Sequence, residues 1–274
     1  MKKVWLAAAI LPLLAWGENR IAVGYEGVDF SHSIKKDRGR RLSVFGRVDL
    51  KEARLEALVE KSNIKTYQPP APEDLQVAKI GLKYTRAFDK STLSLSFATV
   101  DDNLMRETDG GKIYGIAYRR GAFRIAQYLS DYRRFDVWQT EAAYGVSRQM
   151  DDWRLGASAI VKYIHLSDRK SNPFSKNAKA DYLTPGLFLT LHTRGWHAGV
   201  GGFFGRRIFA VMRDGLTVQH HAMAFYRTWT AAVAKDLGRH TLSIRYVYQK
   251  ADEIPVHNDG VTVQSVSLVW GYRF

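Results

Sequence analysis

The sequence predicts an all-β chain folded as one transmembrane antiparallel up-and-down β-barrel of about 14 strands, with roughly 12–16 compatible with the pattern. Three observations carry this expectation. Apolar residues recur at every second position over most of the chain, the period of a strand with one apolar and one wetter face. Short and long breaks take turns between these stretches, as tight turns and longer loops do at the two ends of such a barrel. After the N-terminal segment no run is apolar for long enough to cross a membrane as a helix. Among structures that span lipid, only helices and closed barrels satisfy their own backbone polar groups.

The strands follow in order. Arg20 to Phe30 places Ile21, Val23 and Tyr25 on one face, and a basic break from Ile34 to Arg40 follows. The second strand, Arg41 to Leu50, alternates Leu42, Val44, Val48 and Leu50 with Ser43, Phe45, Arg47 and Asp49. Lys51-Glu52 turns it into a third strand carrying Ala53, Leu55, Ala57 and Val59, which ends in a long break from Ser62 to Asp74. That break holds Pro69, Pro70 and Pro72, and proline has no amide donor for a ladder. The fourth strand turns Ala78, Ile80, Leu82 and Tyr84 outward, and Phe88-Asp89-Lys90 leads to a fifth with Leu93, Leu95 and Phe97. A loop from Asp101 to Gly111 precedes the sixth strand (Tyr114, Ile116, Tyr118), and Arg119-Arg120-Gly121 turns it into the seventh (Phe123, Ile125, Leu129).

The break from Ser130 to Arg134 is shorter than the other loops at its end. The eighth strand presents Trp138, Thr140, Ala142, Tyr144 and Val146, and the ninth Trp153, Leu155, Ala157, Ala159, Val161 and Tyr163. Beyond the long polar loop Ser167 to Ala180 lies the tenth, with Leu183, Leu187, Leu189 and Leu191, interrupted by Pro185-Gly186. Thr193-Arg194-Gly195 turns into the eleventh (Trp196, Ala198, Val200), and Arg213-Asp214-Gly215 sits in the next outer break. The twelfth covers roughly Thr217 to Lys235 with two possible phases, Met223, Phe225, Trp229 and Val233 facing lipid or the opposite set. The thirteenth turns Leu242, Ile244, Tyr246 and Tyr248 outward, and a loop from Ala251 to Gly260 precedes the last.

Residues 1–17 read as a cleaved secretory signal: Lys2 and Lys3 precede the apolar run Val4–Leu14, and Ala15-Trp16-Gly17 offers small residues for a cut before Glu18. Residues 18–274 are then a single barrel domain. Removing Lys2 and Lys3 lowers the formal charge from +14 to +12. The chain has no cysteine, which excludes disulfides, thiolate metal sites and thiol catalysis.

The last strand, Val261–Phe274, is apolar at Val266, Leu268, Trp270, Tyr272 and Phe274, and runs to the terminus without a break. This ending resembles the final strand of Gram-negative outer-membrane β-barrels of the porin-like type. The resemblance implies an outer-membrane location, surrounding outer-membrane lipids, and recognition of those five residues by the barrel-assembly machinery. Aromatic residues near strand ends, among them Trp153, Tyr163, Trp196 and Tyr248, fit girdles at the lipid–water interfaces.

Charge facing lipid at mid-depth costs about 2–4 kcal/mol per Lys or Arg, so the charged residues of the inward phase should line a lumen. These are Arg47, Arg54, Lys79, Lys83, Arg124, Arg154, Lys162 and Arg245, with Asp49, Glu56, Glu60 and Glu141 on the same side. Bases exceed acids, and a positively lined pore favours anions. The alternative is that bases and acids pair and brace the wall, leaving no net field. The sequence thus points to a passive diffusion channel for small polar or anionic solutes, monomeric rather than trimeric by analogy of size. A structural or adhesion barrel with a loop-closed lumen is the second reading, and an outer-membrane lipid hydrolase the third. Hydrolase candidates are Ser31-His32-Ser33, His165 with Asp168, and His220-His221, none in a motif of such enzymes. Asp101, Asp102, Asn103, Glu107 and Asp109 lack calcium-loop spacing, and His192 with His197 flanks a turn. No catalytic residue, cofactor or metal is assigned, and an exported chain with dispersed bases is no nucleic-acid binder.

Overall fold

The computed structural model describes residues 19–69, 71–105, 108–167 and 178–274. Residues 1–17, read above as a signal, and Pro70, Glu107, Asp168 and most of the loop after the ninth strand lie outside them. The strands are β1 (Arg20–Ser31), β2 (Lys36–Asp49), β3 (Ala53–Thr66), β4 (Leu75–Phe88), β5 (Ser91–Asp102), β6 (Lys112–Arg120), β7 (Phe123–Tyr132) and β8 (Phe135–Met150). Then come β9 (Trp153–Leu166), β10 (Asp181–Thr193), β11 (Trp196–Arg207), the short β12 (Val211–Met212) and β13 (Thr217–Val218), β14 (Met223–Leu237), β15 (His240–Glu253) and β16 (Asn258–Arg273). Fourteen of them, all but β12 and β13, form one closed barrel in which each strand pairs with its chain neighbours. Closure comes from β1 against β16, antiparallel from Arg20↔Arg273 to Ser31↔Thr262.

The outward phase is an apolar band. Leu95, Leu189 and Ile244 are 50%, 53% and 49% exposed, as are their equivalents on nearly every strand. So much exposed aliphatic surface is stable against hydrocarbon and not against water. The tight turns use left-handed backbone: Arg194 and Gly195, at φ 41° and 75°, form the two-residue link between β10 and β11 that matches strand twist.

Four local expectations are corrected. The second and third strands run beyond their predicted ends, β2 starting at Lys36 and β3 reaching Thr66. Backbone pairing continues there after the outward residues have become charged, so the apolar period underestimates strand length. The break at Ser130–Arg134 shrinks to Arg133-Arg134, because β7 and β8 pair as far as Tyr132↔Phe135. Pro185 does not interrupt β10. Its missing donor falls where β11 is irregular, beside Gly205 at φ 95° and a register shift between Phe204 and Arg207. The twelfth barrel strand begins at Met223, with Thr217 and Val218 elsewhere. An extra residue, Tyr226, bulges between Phe225 and Arg227. Met223 and Phe225 are therefore buried inside while Trp229 and Val233 face out, and neither single phase was correct.

The barrel is filled in its loop-end half. Phe30, Val77, Val100, Tyr128 and Val263 from the wall pack with Val211 and Val218. Tyr132, Phe135, Ile164 and Tyr182 pack with Ile208, Phe209 and Ala210. Both clusters draw on the connection between β11 and β14.

Candidate functional site: the lumen and its inward segment

Arg213-Asp214-Gly215 was expected in an outer break, with the twelfth strand starting near Thr217. Residues 208–222 fold instead into the barrel. Ile208, Phe209 and Ala210 bury first, β12 and β13 pair through Val211↔Val218 and Met212↔Thr217, and Arg213, Asp214 and Gly215 turn between them at φ 50°, 56° and 92°. Wall glycine admits this tip. A Cβ on Gly81 of β4 would lie 2.1 Å from the Leu216 carbonyl oxygen, an impossible approach.

The wall then satisfies the segment's polar groups. Lys79 Nζ donates to the Val218 carbonyl (2.7 Å), and Lys162 Nζ to the Val211 carbonyl (3.0 Å). The Gln139 amide both donates to Val211 O (3.1 Å) and accepts from Val211 N (2.9 Å). Glu60 receives the Thr217 hydroxyl at 2.7 Å and pairs with Arg213 at 3.3 Å. Asp214 stands 3.3 Å from Arg124 and 3.7 Å from Lys83. These contacts span β3 to β9, so the segment leans on one side of the barrel.

The predicted lumen bases all lie on the inward phase, but their environments differ. Lys83 pairs with Glu56 at 2.6 Å, Arg124 and Lys162 share the buried Glu141, and Arg47 and Arg54 each meet Asp49 at 2.6 Å. Arg124 also donates to the Tyr128 hydroxyl at 2.8 Å. Arg154 is exposed at the turn end, across from Gln149 and His192. Arg245 faces Glu26 loosely, at 3.6 Å.

Opposite the segment a cavity of about 380 Å³ remains against β14, β15, β16, β1 and β2. Arg41, Lys79, Arg207, Arg213 and Arg245 line it against Glu26 and Glu60. A second cavity of about 320 Å³ lies at the turn end on the same side, lined by Arg20, Arg47, His197, Asp236 and Arg273. Sequence reasoning missed Glu26, Arg41 and Arg207. Arg207 is fully buried, donates to Thr228 Oγ1 (2.6 Å) and Gln219 Oε1 (3.0 Å), and sits between the Phe203 and Phe225 rings. The available signal was the apolar content of Ile208, Phe209, Val211 and Leu216, unusual for a solvated loop. The His220 and His221 rings lie 4.2 Å apart, tilted by 38°. Burial, helped by Lys79, Lys36 and Arg41 nearby, holds both well below the usual histidine pKa.

The other candidates are dispersed. Ser31 donates to Asp29 (2.8 Å) and Ser33 to Glu253 (2.7 Å), while His165 contacts Asp181 at 2.8 Å on the outward face. Asp102 caps its own loop, accepting from the Leu104 amide at 3.1 Å and from Thr108 Oγ1 at 3.2 Å. His192 lies 2.6 Å from His197, which contacts Asp236 at 3.0 Å. Among the described residues no group of three or more His, Asp or Glu is placed to hold a metal ion.

No protein-family model matches the chain, and no curated protein matches its sequence. Solved structures do match its shape. The outer membrane protein Omp33 of Acinetobacter baumannii superposes with a TM-score of 0.52 at 10% identity, covering 94% of this chain and 99% of that one. A structure described as a bacterial polysaccharide outer membrane secretin gives 0.57 at 6% identity, covering 94% and 98%. The fold is that of Gram-negative outer-membrane β-barrels. At these identities the likeness establishes architecture, and function rests on the lumen.

Proposed function

We propose that the chain is an outer-membrane passive diffusion channel for small polar solutes that passes anions more readily than cations. The observation that carries the reading is the asymmetric lumen. The inward segment occupies the β3–β9 side, and the two cavities follow one another along the other. The sign is reassigned from the residues the sequence suggested. Lys83, Arg124 and Lys162 have carboxylate partners, so they brace the wall. Arg41, Lys79, Arg207, Arg213 and Arg245 border the larger cavity with only Glu26 and Glu60 opposed, and set a positive potential there. The fourteen-strand barrel works as a monomer, and its C-terminal strand is what the barrel-assembly machinery engages.

A salt gradient across a planar bilayer holding the purified protein is the test. A reversal potential of the anion-selective sign, shrinking as salt rises, is the expected result. Cation selectivity overturns the electrostatic assignment. The second reading, a barrel closed for a structural role, is favoured by the segment's polar contacts with five wall strands, and an absence of conductance in both wild type and a segment-deleted variant would select it.

A further inference from the structure

The outward face of the barrel changes character abruptly on β2 and β3. Val44 and Leu42 on β2, and Val59 on β3, are exposed apolar side chains in the lipid-facing phase. The next outward positions towards the loop end are Arg40 and Arg38 on β2, and Lys61, Asn63 and Lys65 on β3. Arg40, which also borders the lumen cavity, follows the outward alternation of Leu42 and Val44. Register sets these residues side by side, with Leu42 across from Lys61 and Arg40 across from Asn63. Strands lie about 4.8 Å apart and a two-residue step is about 7 Å, so four cations share a compact patch. Tyr25, exposed across from Leu42 on β1, marks the lipid–water boundary beneath it.

The acids nearby do not neutralise the patch. Asp37 contacts Arg38 at 3.6 Å, and Asp29 stands across from Arg38 while accepting from Ser31. Arg40, Lys61 and Lys65 have no ion pair among the described residues. On other strands the exposed outward charge near this end is mixed, Asp101, Asp131 and Asp181 against Lys112 and Arg227, and four bases on two neighbouring strands occur on β2 and β3. Unpaired cations held together at headgroup depth repel one another unless an anion lies between them.

We propose that Arg38, Arg40, Lys61 and Lys65 form a binding surface for the phosphate groups of a multiply phosphorylated glycolipid in the leaflet that meets the loop end. This inference rests on the outer-membrane placement and is independent of conductance. The phosphates sit between the two strands, and the acyl chains run down over Leu42, Val44, Val59 and Ile80.

The test uses the full folded chain in detergent micelles, with native mass spectrometry read against added bisphosphorylated lipid A, its dephosphorylated form, phosphatidylethanolamine and inorganic phosphate. The wild type should retain bisphosphorylated lipid A in preference to the other three. Replacing all four bases by Gln should weaken that retention about tenfold or more, while the Arg119→Gln, Arg120→Gln variant at the turn end should not. If the quadruple variant fails to assemble, the pairs R38Q/R40Q and K61Q/K65Q are measured separately, each with a partial loss expected. Undiminished retention in the variants, or equal retention of the dephosphorylated lipid, overturns the proposal, and so does phosphate competing as well as lipid. Conductance of the same preparations separates the two readings. Lipid retention by a non-conducting protein leaves this surface in place and removes the channel, whereas a conducting protein that ignores lipid A does the reverse.

Discussion

Glu141 holds two buried cations at once, accepting from Arg124 and Lys162. A buried charge stripped of its partner is costlier than the pair was favourable, typically by about 3–5 kcal/mol. Glu141→Gln should therefore destabilise the barrel by an amount in that range, seen as a lower midpoint in urea-induced loss of heat-modifiable migration. An unchanged midpoint would show that water or anions reach both cations. The bases that border the larger cavity should behave in the opposite way. Arg41→Gln with Arg245→Gln removes two cavity bases that face Glu26 at 3.4 and 3.6 Å, and should lower anion preference with little change in stability. A preserved reversal potential would move the selectivity elsewhere. At this scale the alternation put the predicted bases in one phase, and of them Lys79, Arg245 and Arg47 line a cavity. Pairing was not legible, because it depends on which strand sets Glu56 beside Lys83, and that register lies outside any single strand's pattern.

On the proposed reading, the connection between β11 and β14 is the element that sets how much of the lumen is open. Replacing residues 209–221 by a short Gly-Ser linker should leave the fourteen strands paired and raise single-channel conductance several-fold, since the segment fills one side of the lumen. Equal conductance with and without it would show that ions never pass beside it. Gly81→Val is the milder version, because its side chain would collide with the Leu216 carbonyl and unseat the tip. The segment also carries a pH prediction. His220 is buried and His221 half-buried, faced by Lys36 and Lys79 and near Arg41, and loss of hydration there holds both pKa values well below the usual histidine range. Seating is complete above the free histidine pKa of about 6.5 and weakens as pH falls below it, because the unseated pair takes up protons that the seated pair refuses. Conductance should rise on acidification towards pH 5 in wild type, and less in a His220→Gln, His221→Gln variant. A wild-type conductance flat across that range would mean the segment stays seated. In the sequence only the apolar content of Ile208, Phe209, Val211 and Leu216 hinted at this. A hairpin of two-residue strands has no period to detect, and its polar partners lie on strands up to 157 positions away.

The whole molecule closes through its two ends, and here the sequence was most informative. β16 runs through Trp270 and Tyr272 against β1, and the Phe274 amide donates to the Asn19 carbonyl at 3.0 Å. Tyr272 and Phe274 stack edge to face at 5.1 Å, with Trp270 beside Tyr272. Phe274 is 50% exposed on the lipid side, so its ring contributes through the interface and its neighbours rather than through a buried core. Strand number, closure and the outward phase follow from the same two-residue period repeated along the chain, because lipid allows no unpaired backbone edge and no outward polar face. Only the contents of the lumen escape that constraint, since lipid never contacts them. Two measurements bear on this scale. Leu189→Cys should react only with lipid-soluble thiol reagents and Thr190→Cys with impermeant ones, and the reverse pattern would mean a one-residue slip of β10. Phe274→Asp puts a carboxylate where the last ring meets lipid, beside the β1–β16 pairing that closes the barrel. It should cut the yield of folded, heat-modifiable protein in the outer membrane while leaving refolding of purified chain in detergent nearly intact. A loss in both settings would assign Phe274 to barrel stability alone, and wild-type yield in cells would show that the assembly machinery does not depend on it.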